Sequence, residues 1–510
     1  MRRRPAPDAA IAEPCDRIGN GSAIVTSMRT KACKQPRITR RDLLRCAALL
    51  PFSTGFGGLA AVTQAPVPDG FRAFTDSPRL FLLPARLRLL RRERERRSLR
   101  WEQFETLWNA GSEFPEFGWT AALRYQIAQD ESAGRQAVAW AARDAPVTDA
   151  IARQIALIVD WCAPLMSTAD KTLIYPKLES AMGGGAASIA EVRTKTLAAL
   201  ALAEARPAAS EMALRDVYEG FWMGKFIPGL RDAKVHVPNA DANAMLELMH
   251  CFRDNLNFDL RQTFGNWFKD YPLTHILAHY PEPFPAAENE YRIPADPQID
   301  KRGPDVTKAT LSRAAELAMV AFDSNAPETQ LLQGFLMNDR FLMRGALGIT
   351  YELMWANPYQ PGLSYYHVPL VVHDAVGGEL FVRSSWEDNA TWLGFFGGQL
   401  QLFGDGQVVH VDPKAAHEPM DLVEATVFFA QAASKFQLPE RRAPVANDDE
   451  KGDGEALDDV FVIGLEPGRK YHVEVDGEGM FETSSDVGGI IYVSGLPAGA
   501  QVRFGLASVV

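Results

Sequence analysis

The chain has 510 residues, 47% hydrophobic and 23% charged, with a formal net charge of −11. That length and balance exclude wholesale disorder and leave room for two or three domains around a large core. The acidic surplus excludes an electrostatic footprint for nucleic acid.

Residues 1–65 read as a leader, with 1–27 expected to be unstructured and Met28 an alternative start to Met1. Thr39-Arg40-Arg41-Asp42-Leu43-Leu44-Arg45 precedes an apolar stretch, Cys46 to Val62, and a small residue, Ala65. This layout fits a twin-arginine export signal, so export through the twin-arginine translocase to the periplasm or beyond is expected. The apolar stretch is broken by Gly, Ser, Thr and Pro and falls short of the ~20 residues of a membrane span. No span is therefore expected in the mature chain. Beyond residue 65 remain 42 basic and 60 acidic residues, a net of −18, which gives no long-range attraction for a polyanion. Cys162 and Cys251 also remain and read as buried thiols in helices.

Residues 66–366 form a helical region. From Arg79 to Trp355, segments such as "GWTAALRYQIAQ", "DAIARQIALIVDWCAPLM", "ANAMLELMHCFRDNL" and "RFLMRGALGITYELMW" place apolar residues three and four apart. Short polar breaks between them predict successive helical hairpins, hence an (α/α) toroid or an α-solenoid. Clear strand alternation is absent there. Two loops in this region hold candidate functional residues. "HVPNADAN" offers His236, Asn239, Asp241 and Asn243, with His236 and Asn239 as candidate catalytic groups and Asn243 as a ligand contact. Helix capping is the competing role for Asn239 and Asp241. "HILAHYPEPFPAAENEYRIPADPQ" places His275 and His279 on one helix face but offers no carboxylate or cysteine at ligand spacing, so no metal is expected. Its proline-stiffened remainder carries Tyr280, a candidate base, and Glu288, Glu290, Tyr291 and Arg292, candidate contacts on a binding rim.

Residues 367–510 read as an antiparallel β-sandwich, or a sandwich with a small appended module, interrupted by an acidic mobile loop at 447–459. Tyr365 and Tyr366 gather where the two styles meet. No GxSxG, GxxxxGK[ST] or HExxH motif occurs, and no cofactor is expected.

"DSPRLFLLPARLRLLRRERERRSLRWEQFETLW", "RSSWEDNATWLGFFGG" and "LQLFGDGQVVHVDP" resemble the entry helices and the first sandwich strands of the heparinase II/III-like polysaccharide lyase family. The resemblance runs over roughly residues 76–510. It implies a toroid followed by a sandwich, a polysaccharide partner, and a ligand cleft along their junction, where Tyr365 and Tyr366 would stack on sugar rings. It also implies a uronate-pairing or interdomain role for Arg383. Three features depart from the family. The HxHxD-containing loop is missing, with Gln399 alone bridging Gly397-Gly398 to the next strand. The expected Asn-His pair is absent from "GGGAASIAEVRTKTLAALAL", and the expected Tyr from "DAKVHVPNADANAML". β-Elimination beside a uronate carboxyl needs a base and a neutral group to hold the enolate-like charge. Two readings therefore stand: an exported lyase with replacement residues, or a non-catalytic glycan-binding or structural envelope protein.

Overall fold

The computed structural model describes residues 70–507, apart from 232–236, 238, 264–265, 286–289, 300–304, 340–342, 358, 405, 416, 431–434, 439–456, 477–478 and 498. The chain divides into two units, Met1–Gln64 and Ala65–Val510. The export signal and most of the acidic loop lie outside the described residues.

Residues 84–355 form helices α1 (Pro84–Glu95), α2 (Leu99–Asn109), α3 (Phe117–Ala128), α4 (Glu131–Ala142), α5 (Asp149–Trp161), α6 (Thr168–Gly183), α7 (Ile189–Ala201) and α8 (Pro207–Arg215). A π-helical stretch, Asp216–Phe226, leads into α9 (Ile227–Arg231), α10 (Asn239–Leu256), α11 (Trp267–Leu277), α12 (Val306–Phe322), α13 (Pro327–Asn338) and α14 (Gly348–Trp355). The polar breaks are caps: Ser98, Asp130, Thr148, Ser167, Ser188 and Asp305 each accept a backbone N–H of the first turn. Helices α3, α5, α7, α10, α12 and α14 each pack on the next, and α14 packs on α2. These row helices are buried almost all round, as α5 is from Ala152 to Trp161, so their apolar residues do not form one stripe.

Charges lock part of the row. Glu247 of α10 accepts from Arg153 of α5 (Nε 2.9 Å) and from Arg193 of α7 (Nη1 2.7 Å), all three buried. Burial opposes the carboxylate, but the two guanidinium groups outweigh it and bring its pKa down to about 2. The Arg153 guanidinium also lies over the rings of Trp119 and Tyr351, 4.9 and 5.6 Å away.

Two expectations for this region are corrected. The helix expected over 340–355 begins only at Gly348; a Cβ there would sit 2.7 Å from that of Met343, so the chain folds back tightly before the helix can start. The proline-rich loop contains a two-residue hairpin, β1 (Phe284–Pro285) with β2 (Glu290–Tyr291), where no strand was expected. Cys162 and Cys251 are free and buried, as expected, although Cys162 is the C-cap of α5 and stands just past its last turn.

The C-terminal part has three sheets where one sandwich was the simpler expectation. Sheet A orders β3 (Val371–Asp374), β4 (Glu379–Arg383), β5 (Trp392–Phe396), β6 (Gln399–Gly404) and β7 (Gln407–Val411), all antiparallel. Sheet B orders β14 (Ile491–Pro497), β11 (Leu457–Ile463), β9 (Ala425–Phe429) and β8 (Met420–Leu422), with β11 and β9 parallel. Sheet C orders β10 (Lys435–Gln437), β15 (Gln501–Leu506), β12 (Lys470–Val475) and β13 (Gly479–Ser484). Residues 457–459, expected in the mobile loop, belong to β11, where Leu457 and Asp458 pair with Pro497 and Leu496.

Strand alternation explains the stacking. In sheet B, Val427, Phe429, Phe461 and Ile463 pack against Leu380, Val382, Leu393 and Phe395 of sheet A. Their neighbours Phe428, Val460 and Val462 face Tyr471, Val473 and Val502 of sheet C. Sheet A is likewise two-sided: Phe381, Trp392, Phe396 and Phe403 join the helical core. Trp392 donates its indole N–H to Leu277 O at 2.8 Å. Tyr280 donates its hydroxyl to Gln401 Oε1 (2.6 Å) and accepts from Asp296 N (3.2 Å), while Gln401 Nε2 donates to Asp296 O (2.9 Å).

Two outcomes follow. Replacing Glu247 (Glu247→Gln) leaves Arg193 with Asp149 alone and Arg153 with Glu116 alone, at 3.1 and 3.6 Å, and is expected to cost about 3 kcal/mol in urea unfolding at neutral pH. Because its folded-state pKa lies below the ordinary value of 4.5, the contribution is fully present above that value and disappears as pH falls toward about 2. The gap between wild type and variant should narrow over that window. Tyr280→Phe orphans the Gln401 oxygen and the Asp296 N–H and should cost about 1–3 kcal/mol in the same assay; unchanged stability would remove the structural role assigned to this hydroxyl.

Candidate functional site

Where α13 ends, the β4–β5 hairpin loop meets it across a polar cleft of about 480 Å³. Three segments build its walls. The hairpin loop is closed by Ser384 N donating to Thr391 O (2.9 Å) and Thr391 N donating to Ser384 Oγ (2.9 Å). Trp386 donates its indole N–H to Val368 O (3.3 Å), which leaves Glu387, Asp388 and Asn389 exposed at the tip.

The second wall is the segment after α14. A Cβ on Gly334 of α13 would sit 1.8 Å from Leu363 O, and Leu363 N donates to Gln330 O at 2.8 Å. This close approach, possible only with glycine, lays the segment on α13 and fixes the two tyrosines that follow. The rings of Tyr365 and Tyr366 stack at 4.8 Å and 19°, and Tyr365 meets Trp386 edge-on at 5.2 Å. Tyr365 is 3% exposed and Tyr366 47%, so Tyr366 offers the free aromatic surface.

Arg292, with Pro283 beside it, supplies the third wall. Its Nε donates to Pro281 O (2.9 Å), its Nη1 lies 3.7 Å from Asp339 Oδ1, and its Nη2 is paired with Asp388. Behind it the charges continue inward. Asp339 pairs with Arg313, whose Nε lies 3.1 Å from Glu316 Oε2, and Glu316 Oε1 lies 2.6 Å from His275 Nε2 and 3.4 Å from His279 Nε2. Burial opposes the Glu316 carboxylate, but Arg313 and the two imidazoles together hold it well below the usual range.

The structure brings together three of the expected contacts, Arg292, Tyr365 and Tyr366, and adds Asn338, Trp386, Glu387, Asp388 and Asn389. The signal for the last group was a run of polar turn residues after a tryptophan, between two alternating strands. Arg383 is corrected as a ligand contact, and its position fits the interdomain role that was the other expectation. Strand alternation turns it toward the helices, where it is 1% exposed beneath Trp386, with its Cζ 4.6 Å from that ring and its Nε donating to Ser385 O. Burial, with Arg292 nearby, lowers its pKa to about 10. Tyr280 is corrected as well: its fully buried hydroxyl is committed to the interface between helices and sheet A, and burial raises its pKa. Asn243 is buried in α10, away from the residues that line this cleft, with its Oδ1 lacking a hydrogen-bond partner. Asn239 opens α10, and Glu290 and Tyr291 form β2, but their side chains lie outside the described residues, as do His236 and Glu288 altogether.

The cleft combines an exposed ring face with hydroxyl, amide, carboxylate and guanidinium groups. Such a surface can bury the C–H face of a pyranose and hydrogen-bond its rim. Tyr365, pushed up to about 12 by burial and then by Tyr366, stays protonated at neutral pH and acts there as a donor, not a base. A second hollow of about 670 Å³ is roomier; Leu317, Leu336, Met337, Met343 and Ile349 share its wall with charged residues such as Glu93, Arg100, Arg344 and Glu352, and it has no stacked aromatic pair like Tyr365 and Tyr366.

No protein-family profile and no curated protein matches the chain. A solved structure described as a glycoside hydrolase aligns over 79% of this chain and 74% of its own, at 12% identity and a TM-score of 0.29, a likeness that carries no argument.

Gly334→Ala is the variant that tests how the tyrosine wall is placed. Its new methyl meets backbone, not a flexible side chain, so the 362–366 segment must move. A loss of at least about 2 kcal/mol in denaturant unfolding is expected, together with altered near-ultraviolet circular dichroism from the displaced tyrosines.

Proposed function

We propose that this protein binds a carbohydrate chain in the cleft formed by Tyr366, Trp386, Arg292 and the 387–389 tip. The observation that carries this reading is the pairing of a half-exposed tyrosine ring, braced by Tyr365 and Trp386, with a rim of side chains that are nearly all polar. The order in which α3, α5, α7, α10, α12 and α14 contact one another supports reading the helical part as an (α/α) toroid. The heparinase II/III-like resemblance of "RSSWEDNATWLGFFGG" supports a polysaccharide as the partner. Export through the twin-arginine pathway to the periplasm or beyond is part of the same proposal and rests on the leader sequence. No helix of the described residues is long and apolar enough to cross a membrane.

Binding is favoured over cleavage. Arg292 is held by Asp388 and Asp339, and Tyr365 is protonated at neutral pH, so among the described residues the cleft offers neither a free guanidinium for a uronate nor a ready phenolate base. β-Elimination of a uronic-acid glycan is the second reading and rests on the sequence resemblance.

A panel of neutral, amino-sugar and uronic-acid oligosaccharides, titrated calorimetrically, tests both. At least one should bind, with Tyr366→Ala and Asp388→Asn each weakening it about tenfold, or 1.4 kcal/mol. Binding that ignores both substitutions, or no binding across the panel, removes this cleft as the site. A rise in the ultraviolet band of unsaturated uronate on any acidic glycan would establish elimination instead.

A further inference from the structure

We propose that His275, His279 and Glu316 form a binding site for one divalent transition-metal ion of the Zn²⁺ class, tying α11 to α12 beneath the cleft. The two imidazoles come from the last turn of α11 and the residue just beyond its C-cap, and the carboxylate from the middle of α12. One ligand atom from each lies within 4.8 Å of the others, and all three residues are buried. Helical spacing alone leaves the pair without an acid; the packing of α12 supplies one from 37 positions beyond His279.

The orientation of His279 is that of a ligand. Its Nδ1 lies 2.7 Å from His275 O, a carbonyl that can only accept, so the ring proton sits on Nδ1. Its Nε2 therefore presents a lone pair to Glu316 Oε1, 3.4 Å away. Ligating histidines are commonly fixed by this kind of carbonyl contact. Metal–ligand bonds of about 2.0–2.1 Å in a tetrahedron put neighbouring ligand atoms about 3.3 Å apart. The His279–Glu316 separation already matches that edge. The His275–Glu316 separation of 2.6 Å must open by about 0.7 Å, a small side-chain rotation.

The site ends a line of alternating charges: Arg292 and Arg313 flank Asp339, and Arg313 stands beside Glu316. Arg313 approaches the other Glu316 oxygen, Oε2, at 3.1 Å and leaves Oε1 to the histidines. Two buried polar atoms here also lack hydrogen-bond partners: His275 Nδ1 and the hydroxyl of Tyr271, whose ring stacks on His275 at 5.0 Å and 18°. A water completing the metal's coordination would give such an atom a partner. The alternative is a plain imidazole–carboxylate hydrogen bond that needs no ion.

Elemental analysis of the purified full chain after extensive dialysis, followed by titration with Zn²⁺ and Co²⁺, separates the two. One ion per chain is expected, with the visible bands of tetrahedral Co²⁺ and a melting temperature several degrees higher in Zn²⁺ than in chelator. His279→Gln, which keeps a polar group of similar size and leaves the Glu316–Arg313 pair intact, should abolish all three. A wild-type chain that takes up no stoichiometric ion and melts at the same temperature in Zn²⁺ and chelator overturns the proposal. So does a His279→Gln chain that keeps the ion and the same Co²⁺ spectrum.

Discussion

Sheet A has no solvent face along β4, β5 and much of β6, and the rest of the C-terminal architecture depends on this double burial. Leu380, Val382, Leu393 and Phe395 point into the strand-built core, while Phe381, Trp392 and Phe396 point into the helical one. A sheet clamped in this way cannot slip by one residue without exchanging its two sets of side chains, so its register is strongly specified. The polar contacts across the helical face add direction: an indole N–H on a helix-end carbonyl, and a tyrosine–glutamine pair around the backbone of Asp296. Helices and sheet A thus share one packed core, and the hairpin tip between β4 and β5 is held in place by the strands that carry it.

That constraint makes the cleft a built feature. Its tryptophan sits two residues beyond Ser384 of the Ser384–Thr391 closure of the hairpin, its tyrosines ride on a segment pressed against Gly334, and its arginine is held by two carboxylates. The buried arginine under Trp386 supports the ring from below. Behind the wall, the alternation of acid and base from Asp388 through Arg292, Asp339 and Arg313 to Glu316 keeps each interior charge beside an opposite one. A buried ion chain of this kind costs desolvation and is tolerated because no member stands alone.

Much of the helical part was legible from period and caps. Serine, threonine and aspartate sit where the apolar pattern pauses, and they are the residues that accept first-turn N–H groups. The stretch 340–355 misleads because its apolar spacing resembles a helix while Gly348 permits the tight approach to Met343 that precedes α14. In the strands, spacing showed alternation but not what each face would meet. Hence spacing alone does not separate a uronate-pairing Arg383 from an interdomain one, although its face belongs to the helical core, and it does not separate one sandwich from a sandwich with a third sheet. The tyrosines of the cleft were readable because they cluster at a change of pattern. Glu316 was not, because nothing local ties a mid-helix glutamate to histidines on another helix. Only tertiary packing joins them.

Glu387, Asp388 and Asn389 are the least encumbered residues of the cleft. All three project from the hairpin tip, and of the side-chain contacts described for them only the Asp388 pair with Arg292 ties one down. The framework beneath is secured by other residues: the serine and threonine at the hairpin's mouth, and the tryptophan and arginine stacked under it. Substitution at the tip therefore alters what the groove recognises while leaving the folding energy nearly unchanged. Over evolutionary time, relatives built on this frame can diverge in ligand preference through three surface positions without rebuilding the scaffold.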